Sequence, residues 1–159
     1  RKDSVLIPGL TKKDWKFLAL YIPISFVLYQ GGQIFLDTWL GRNNPINQQG
    51  VEKVAEVIPL WLLFLMIVVA APIVEELFFR GMLMFRNPKK APGWGATIFS
   101  ALVFGLIHTP TDIQSFYTYV GMGLVFSYAA KKTNSVEAAM IYHALNNLIG
   151  FLAIVYGAV

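Results

Sequence analysis

Long charge-free runs alternate with short polar stretches along this chain. Five such runs stand out: residues 17–36, 57–74, 91–107, 113–130 and 138–159, with lengths of 20, 18, 17, 18 and 22 residues. A helix needs about 20 apolar residues to cross a bilayer, within a range of roughly 17–25. All five runs fall in that range, although the fourth carries Gln114, Ser115 and Thr118. Lipid offers the backbone no hydrogen-bond partners, so spanning segments default to helix. The pattern therefore predicts an all-α, polytopic membrane helix bundle of about five transmembrane helices. It forms one domain over residues 1–159, with no internal repeat.

The joints between runs carry their own signals. "TKKD" offers Thr11 as an N-cap with Asp14 three residues on, and Trp15 belongs at interface depth. "GRNNPINQQG" reads as a polar loop, and "RNPKKAPGWG" breaks the chain again. Thr109-Pro110 ends the third helix, and "KKTNS" divides the fourth from the fifth. The first run is long and holds Pro23, which does not fit a signal peptide.

Composition agrees with the pattern. Hydrophobic residues make up 56% of the chain and charged residues 14%, with a mean hydropathy of +0.56. A soluble domain of this length rarely reaches that balance. The net charge of +4 does not signal nucleic acid, because the basic residues flank apolar runs and form no stripe with aromatics. With five crossings, ten basic residues collect on one side and two on the other, which predicts a cytoplasmic N-terminus. The absence of cysteine removes disulfides, thiolate zinc sites and a cysteine nucleophile.

Against this background a few residues are out of place. Glu75, Glu76 and Arg80 lie late in the second segment, His108 closes the third, and His143 sits in the fifth with Asn146 and Asn147 close behind. Ionisable groups inside a span are costly and mark function. Glu76 and Arg80 are four apart and can pair on one helix face, whereas Glu75 is rotated by roughly 100° and points elsewhere. His143 and Asn147 also stand four apart, as do Phe104 and His108. Counting along straight helices puts His108 at a different depth from Glu75 and His143, and a kink at Pro72 or a tilt is needed for them to meet.

"EELFFR" (residues 75–80), "FGLIH" (104–108) and "HALNN" (143–147) resemble three motifs of the CPBP family, in the family's order and on separate helices. This family comprises the CAAX-type proteases and bacteriocin-processing enzymes, also called ABI proteins and glutamate intramembrane proteases. The likeness covers about residues 73–150, within a motif-bearing core of about 57–155. It implies an intramembrane endopeptidase that cuts a membrane-associated or hydrophobic peptide, or a membrane protein, with water as the nucleophile. Glu75 would be the general base, His108 would hold or polarise the water, and His143 and Asn147 would donate to the oxyanion. Glu76, Arg80 and Phe104 would support them, and no cofactor or metal is expected. The likeness further implies an integral protein of a bacterial cell membrane, with a role in peptide pheromone or bacteriocin maturation, or in immunity.

Other readings of the same residues stay open. Two histidines and a glutamate can hold zinc, although HExxH is absent. Intramembrane Glu and His also build proton relays in transporters. A non-catalytic member that regulates a membrane partner would carry the same motifs. Nothing in the chain suggests a nucleic-acid partner.

Overall fold

In a computed structural model, which describes residues 9–41, 44–87 and 91–157, the regular structure is entirely helical. Helix α1 is Lys12–Leu40, α2 is Ile46–Ala55, α4 is Trp94–Ile107, α5 is Ile113–Thr133 and α6 is Val136–Val155. Between α2 and α4 runs one composite helix, α3, Leu60–Met84. It is α-helical over Leu60–Phe64 and Ala71–Glu76, and π-helical over Leu65–Ala70 and Leu77–Met84. The protein is an all-α membrane helix bundle. Among the described residues α1, α3 and α6 are each long and apolar enough to cross a membrane.

Local chemistry explains the ends. Thr11 caps α1 as its spacing predicts: the Asp14 amide donates to Thr11 Oγ1 at 3.2 Å, and the Thr11 amide donates to Asp14 Oδ2 at 2.9 Å. Asp112 and Ser115 form a second reciprocal cap at the start of α5. Thr109 adopts a left-handed φ of 50° just after α4, and Pro110 then prevents the helix from resuming. Asn134, at φ 51°, closes α5 in the same conformation.

Two differences from the sequence expectation matter. The stretch read as a polar loop contains α2, which begins directly after Pro45. Proline's fixed φ suits the start of a helix as well as a turn. Gln48 donates to Glu52 Oε1 at 3.0 Å and Asn44 to Glu52 Oε2 at 2.9 Å, which satisfies the polar side chains within this segment. The other difference is length. Helix α4 has 14 residues, a rise of about 21 Å against the roughly 30 Å of hydrocarbon.

Tyrosine hydroxyls lash α1 to α5 in antiparallel register: Tyr21 donates to Val125 O at 3.0 Å, and Tyr29 to Thr118 O at 3.1 Å. Phe64 meets Phe151 edge-on at 5.5 Å while Glu76 meets His143, so α3 runs antiparallel to α6. The outer faces, including Leu20, Ile24, Val27 and Leu28, are exposed and apolar, as lipid-facing surfaces are. This arrangement gathers Lys12, Lys13, Lys16, Arg86, Lys131 and Lys132 at one end of the bundle, with Lys53 at the other. Arg1, Lys2, Arg42, Lys89 and Lys90, also counted in the charge asymmetry, lie outside the described residues.

Helices α4 and α5 make the tightest pair. A Cβ on Gly105 would sit 2.9 Å from the Val120 backbone, and one on Gly123 would sit 2.7 Å from the Ala101 carbonyl. Small residues let transmembrane backbones approach this closely. Gly105→Ala and Gly123→Ala are each expected to lower stability by about 1–3 kcal/mol through forced separation of the helices. Gly95→Ala, whose Cβ meets nothing within 4 Å, should be near neutral. Thermal unfolding of the three variants in detergent checks this ordering.

Candidate active site

The site begins with a charge that lipid does not tolerate unpaired. Arg80 and Glu76 are both fully buried, one helical turn apart near the start of the second π-segment. Arg80 Nη1 donates to Glu76 Oε1 at 3.0 Å, Nη2 to the Gly123 carbonyl at 2.7 Å, and Nε to Ser127 Oγ at 3.2 Å. Phe104 lies 4.9 Å below the guanidinium carbon, adding a cation–π contact. The pairing expected from the sequence is therefore present. It also does more, because Glu76 Oε1 accepts from His143 Nδ1 at 2.9 Å.

That bond orients the imidazole. With Nδ1 turned to Glu76, the ring stacks on Phe126 at 4.7 Å and directs Nε2 toward Glu75 Oε2, 4.0 Å away. His108 is oriented by a parallel device. Its Nδ1 lies 2.7 Å from the Phe104 carbonyl, and a carbonyl can only accept, so Nδ1 carries the proton. The ring stacks on Tyr119 at 4.8 Å, and Nε2 reaches to 3.9 Å from the same Glu75 oxygen. Glu75 Oε2 is buried and has no hydrogen-bond partner among the described protein groups. His108 follows directly on the short α4 and comes within 3.9 Å of Glu75, contrary to a straight count along full-length spans.

Glu75, His108 and His143 thus converge, with Glu76, Arg80 and Phe104 directly behind them. Asn147 is placed differently: its Nδ2 donates to the Ile67 carbonyl of α3 at 2.8 Å. Asn146 turns to Met122 Sδ at 3.2 Å. Ser127, Tyr119 and Phe126 of α5 complete the site. Ser127 is marked by its bond from Arg80, while Tyr119 and Phe126, whose helix's aromatics read as general packing in the sequence, are distinguished by stacking on the imidazoles.

A cavity of about 760 Å³ opens from these residues toward α2. Its wall includes seven carboxamide side chains and three carboxylates, Asp37, Glu52 and Glu75, and no described lysine or arginine. Carboxamides both donate and accept, which matches the needs of an extended peptide backbone.

Comparison with known proteins accords with this geometry. The model of the type II CAAX prenyl endopeptidase Rce1-like family matches residues 57–149, more than half the chain, including Glu75, Glu76, Arg80, Phe104, His108, His143 and Asn147. The chain belongs to this family. Among its relatives, the membrane-embedded CAAX protease MroQ of Staphylococcus aureus (strain USA300) is 31% identical over 90% of this chain and 60% of its own length. The putative membrane peptidase YdiL of Bacillus subtilis (strain 168) is 24% identical over 92% of this chain and 57% of its own. UPF0177 protein YbdI of Lactococcus lactis subsp. lactis (strain IL1403) is 35% identical over 58% of this chain and 49% of its own. The chain therefore spans about half to three-fifths of the relatives' length, and no solved structure matches it. An Rce1-like chain is a member of a CAAX protease-like membrane peptidase family, here within an integral membrane bundle.

Breaking the buried pair on one side leaves an uncompensated charge. Arg80→Met is expected to destabilise the bundle by about 3–5 kcal/mol. Adding Glu76→Gln to that variant should recover part of the loss, because the orphaned carboxylate is gone. Denaturant or thermal titration of the single and double variants measures both.

Proposed function

We propose that this Rce1-like chain is an intramembrane endopeptidase in which Glu75 activates water. The observation that carries the proposal is the convergence of two imidazole Nε2 atoms on one buried carboxylate oxygen, at 3.9 and 4.0 Å. Gaps of that size between polar atoms suit a bridging water. A water between Glu75 Oε2 and His108 Nε2 can donate to both, which holds it and leaves its oxygen lone pairs toward the cavity. Glu75 takes the proton as the oxygen–carbon bond forms. It returns that proton to the amine as the carbon–nitrogen bond breaks, the usual exchange of roles for a general base. His143, held through Nδ1 by Glu76, turns Nε2 to the substrate carbonyl and donates to the oxyanion in the form that carries protons on both ring nitrogens. The resemblance also offers Asn147 as a donor, but its Nδ2 is engaged by the Ile67 carbonyl.

The substrate would be a hydrophobic or membrane-associated peptide, or a membrane protein, whose backbone lies along the amide-rich wall. The relatives' names support a peptidase, and a bacterial role in peptide maturation or immunity belongs to the same proposal. The basic residues gathered at one end of the bundle support a cytoplasmic N-terminus. Zinc chemistry is the second reading, because Glu75, His108 and His143 are donor types that zinc accepts. Among the described residues, no three such side chains are grouped closely enough to hold an ion.

Glu75→Gln and His108→Ala are each expected to lower cleavage by about 10²–10⁴-fold while leaving a folded bundle. Peptide mapping of membrane proteins and secreted peptides, in cells with the parental chain or Glu75→Gln, supplies the substrate and tests the role together. Parental cleavage by either variant would overturn the assignment. Cleavage by purified protein should persist after dialysis against EDTA, and a loss restored by zinc would favour the metal reading.

A further inference from the structure

Pro72 sits just past the first π-segment of α3 and removes one backbone donor from the span. In an α-helix its ring would also collide with the carbonyl four residues back, that of Val68. The backbone avoids this by widening. The Ala71 N–H bonds to Met66 O, five residues back. In that register the next carbonyl, Ile67 O, should receive the N–H of residue 72, and proline has none. Ile67 O is thus left without a backbone donor inside an apolar span, where an unmade hydrogen bond is expensive. Asn147 Nδ2 fills the gap at 2.8 Å. The acceptor fixes which end of the carboxamide faces α3, since only the NH₂ end can donate.

From this we infer that Asn147 is a positioning residue. It satisfies the carbonyl orphaned by Pro72, and so holds open the widened turn that sets Glu75, three residues beyond Pro72, against the imidazoles. The bond ties α6 to α3 one turn beyond His143, which is anchored to the same helix through Glu76. Two bonds a turn apart fix the rotation of α6 about its axis, and with it the direction of His143 Nε2. Loss of the outer one frees the carboxylate and the imidazole to drift apart. A misplacement of about 1 Å at a reacting centre can lower the rate about 10²-fold. This assignment rests on the protease reading for its effect on rate, but the Ile67 cap is tested without it.

A double-substitution cycle over Pro72→Ala and Asn147→Ala separates the roles. The Pro72→Ala substitution restores an N–H at position 72, so backbone donors can serve Ile67 O in either an α or a π register. Asn147→Ala should lower Tm by about 2–4 °C in the parental background, and by less than half as much in the Pro72→Ala background. Equal shifts in the two backgrounds would overturn the cap. With the peptide found by Glu75-dependent mapping, Asn147→Ala should reduce kcat about 10²-fold at little-changed KM in the parental background. In the Pro72→Ala background the reduction should shrink to about 3-fold, the sign of coupling through a shared structure. An undiminished loss of kcat in that background would make Asn147 a direct oxyanion donor, overturning the inference while leaving the protease reading intact. Coupled Tm shifts without any Glu75-dependent cleavage would do the reverse.

Discussion

A guanidinium with no solvent exposure constrains everything around it. Arg80 must find acceptors inside an apolar bundle, and it finds them on two helices: Glu76 on its own, Gly123 and Ser127 on α5. A buried charge left unpaired is strongly destabilising, so α3 and α5 are held in one register. Gly123 serves twice, since its missing side chain admits α4 while its carbonyl takes Arg80. Glu76 then extends the network to α6 through His143. Three helices are thereby indexed to one ion pair, and the ring nitrogen facing Glu75 inherits that precision.

The second requirement is to bring groups from different helices to one depth. His108, at the C-terminal edge of the short α4, reaches Glu75 of α3. Glu75 and Glu76 share the α-helical turn between the two π-segments of α3, with Glu76 inward to the ion pair and Glu75 toward the cavity. π-Helical turns are uncommon and recur at functional sites, and here the first has a local cause in Pro72. The aromatic rings of Phe104, Tyr119 and Phe126 pack against the imidazoles, so both rings are set by stacking as well as by hydrogen bonds.

Family membership and geometry bear on different parts of the picture. The Rce1-like match covers the cluster of ionisable side chains on α3 to α6, whereas α1 and α2 supply the cavity's far wall. That wall carries Gln33, Asp37 and Glu52. The relatives are considerably longer than this chain, so their substrates are not transferred to it.

The sequence by itself determined the solvent and the parts: apolar runs of spanning length, an all-α bundle, the ionisable residues that lipid tolerates only for a purpose, and the Glu76–Arg80 spacing. These are local properties, readable because helix periodicity and lipid's demand on the backbone act within a segment. Residues 46–50, the first half of α2, read as loop rather than helix, since Pro, Asn and Gly favour both turns and helix starts. Tertiary structure alone decided that Glu75 meets both imidazoles, that Glu76 orients His143, and that Asn147 turns to Ile67. Each depends on where a helix stops and how it is rotated against its neighbours. Those are set by the sum of packing across the bundle, which no single stretch of residues encodes.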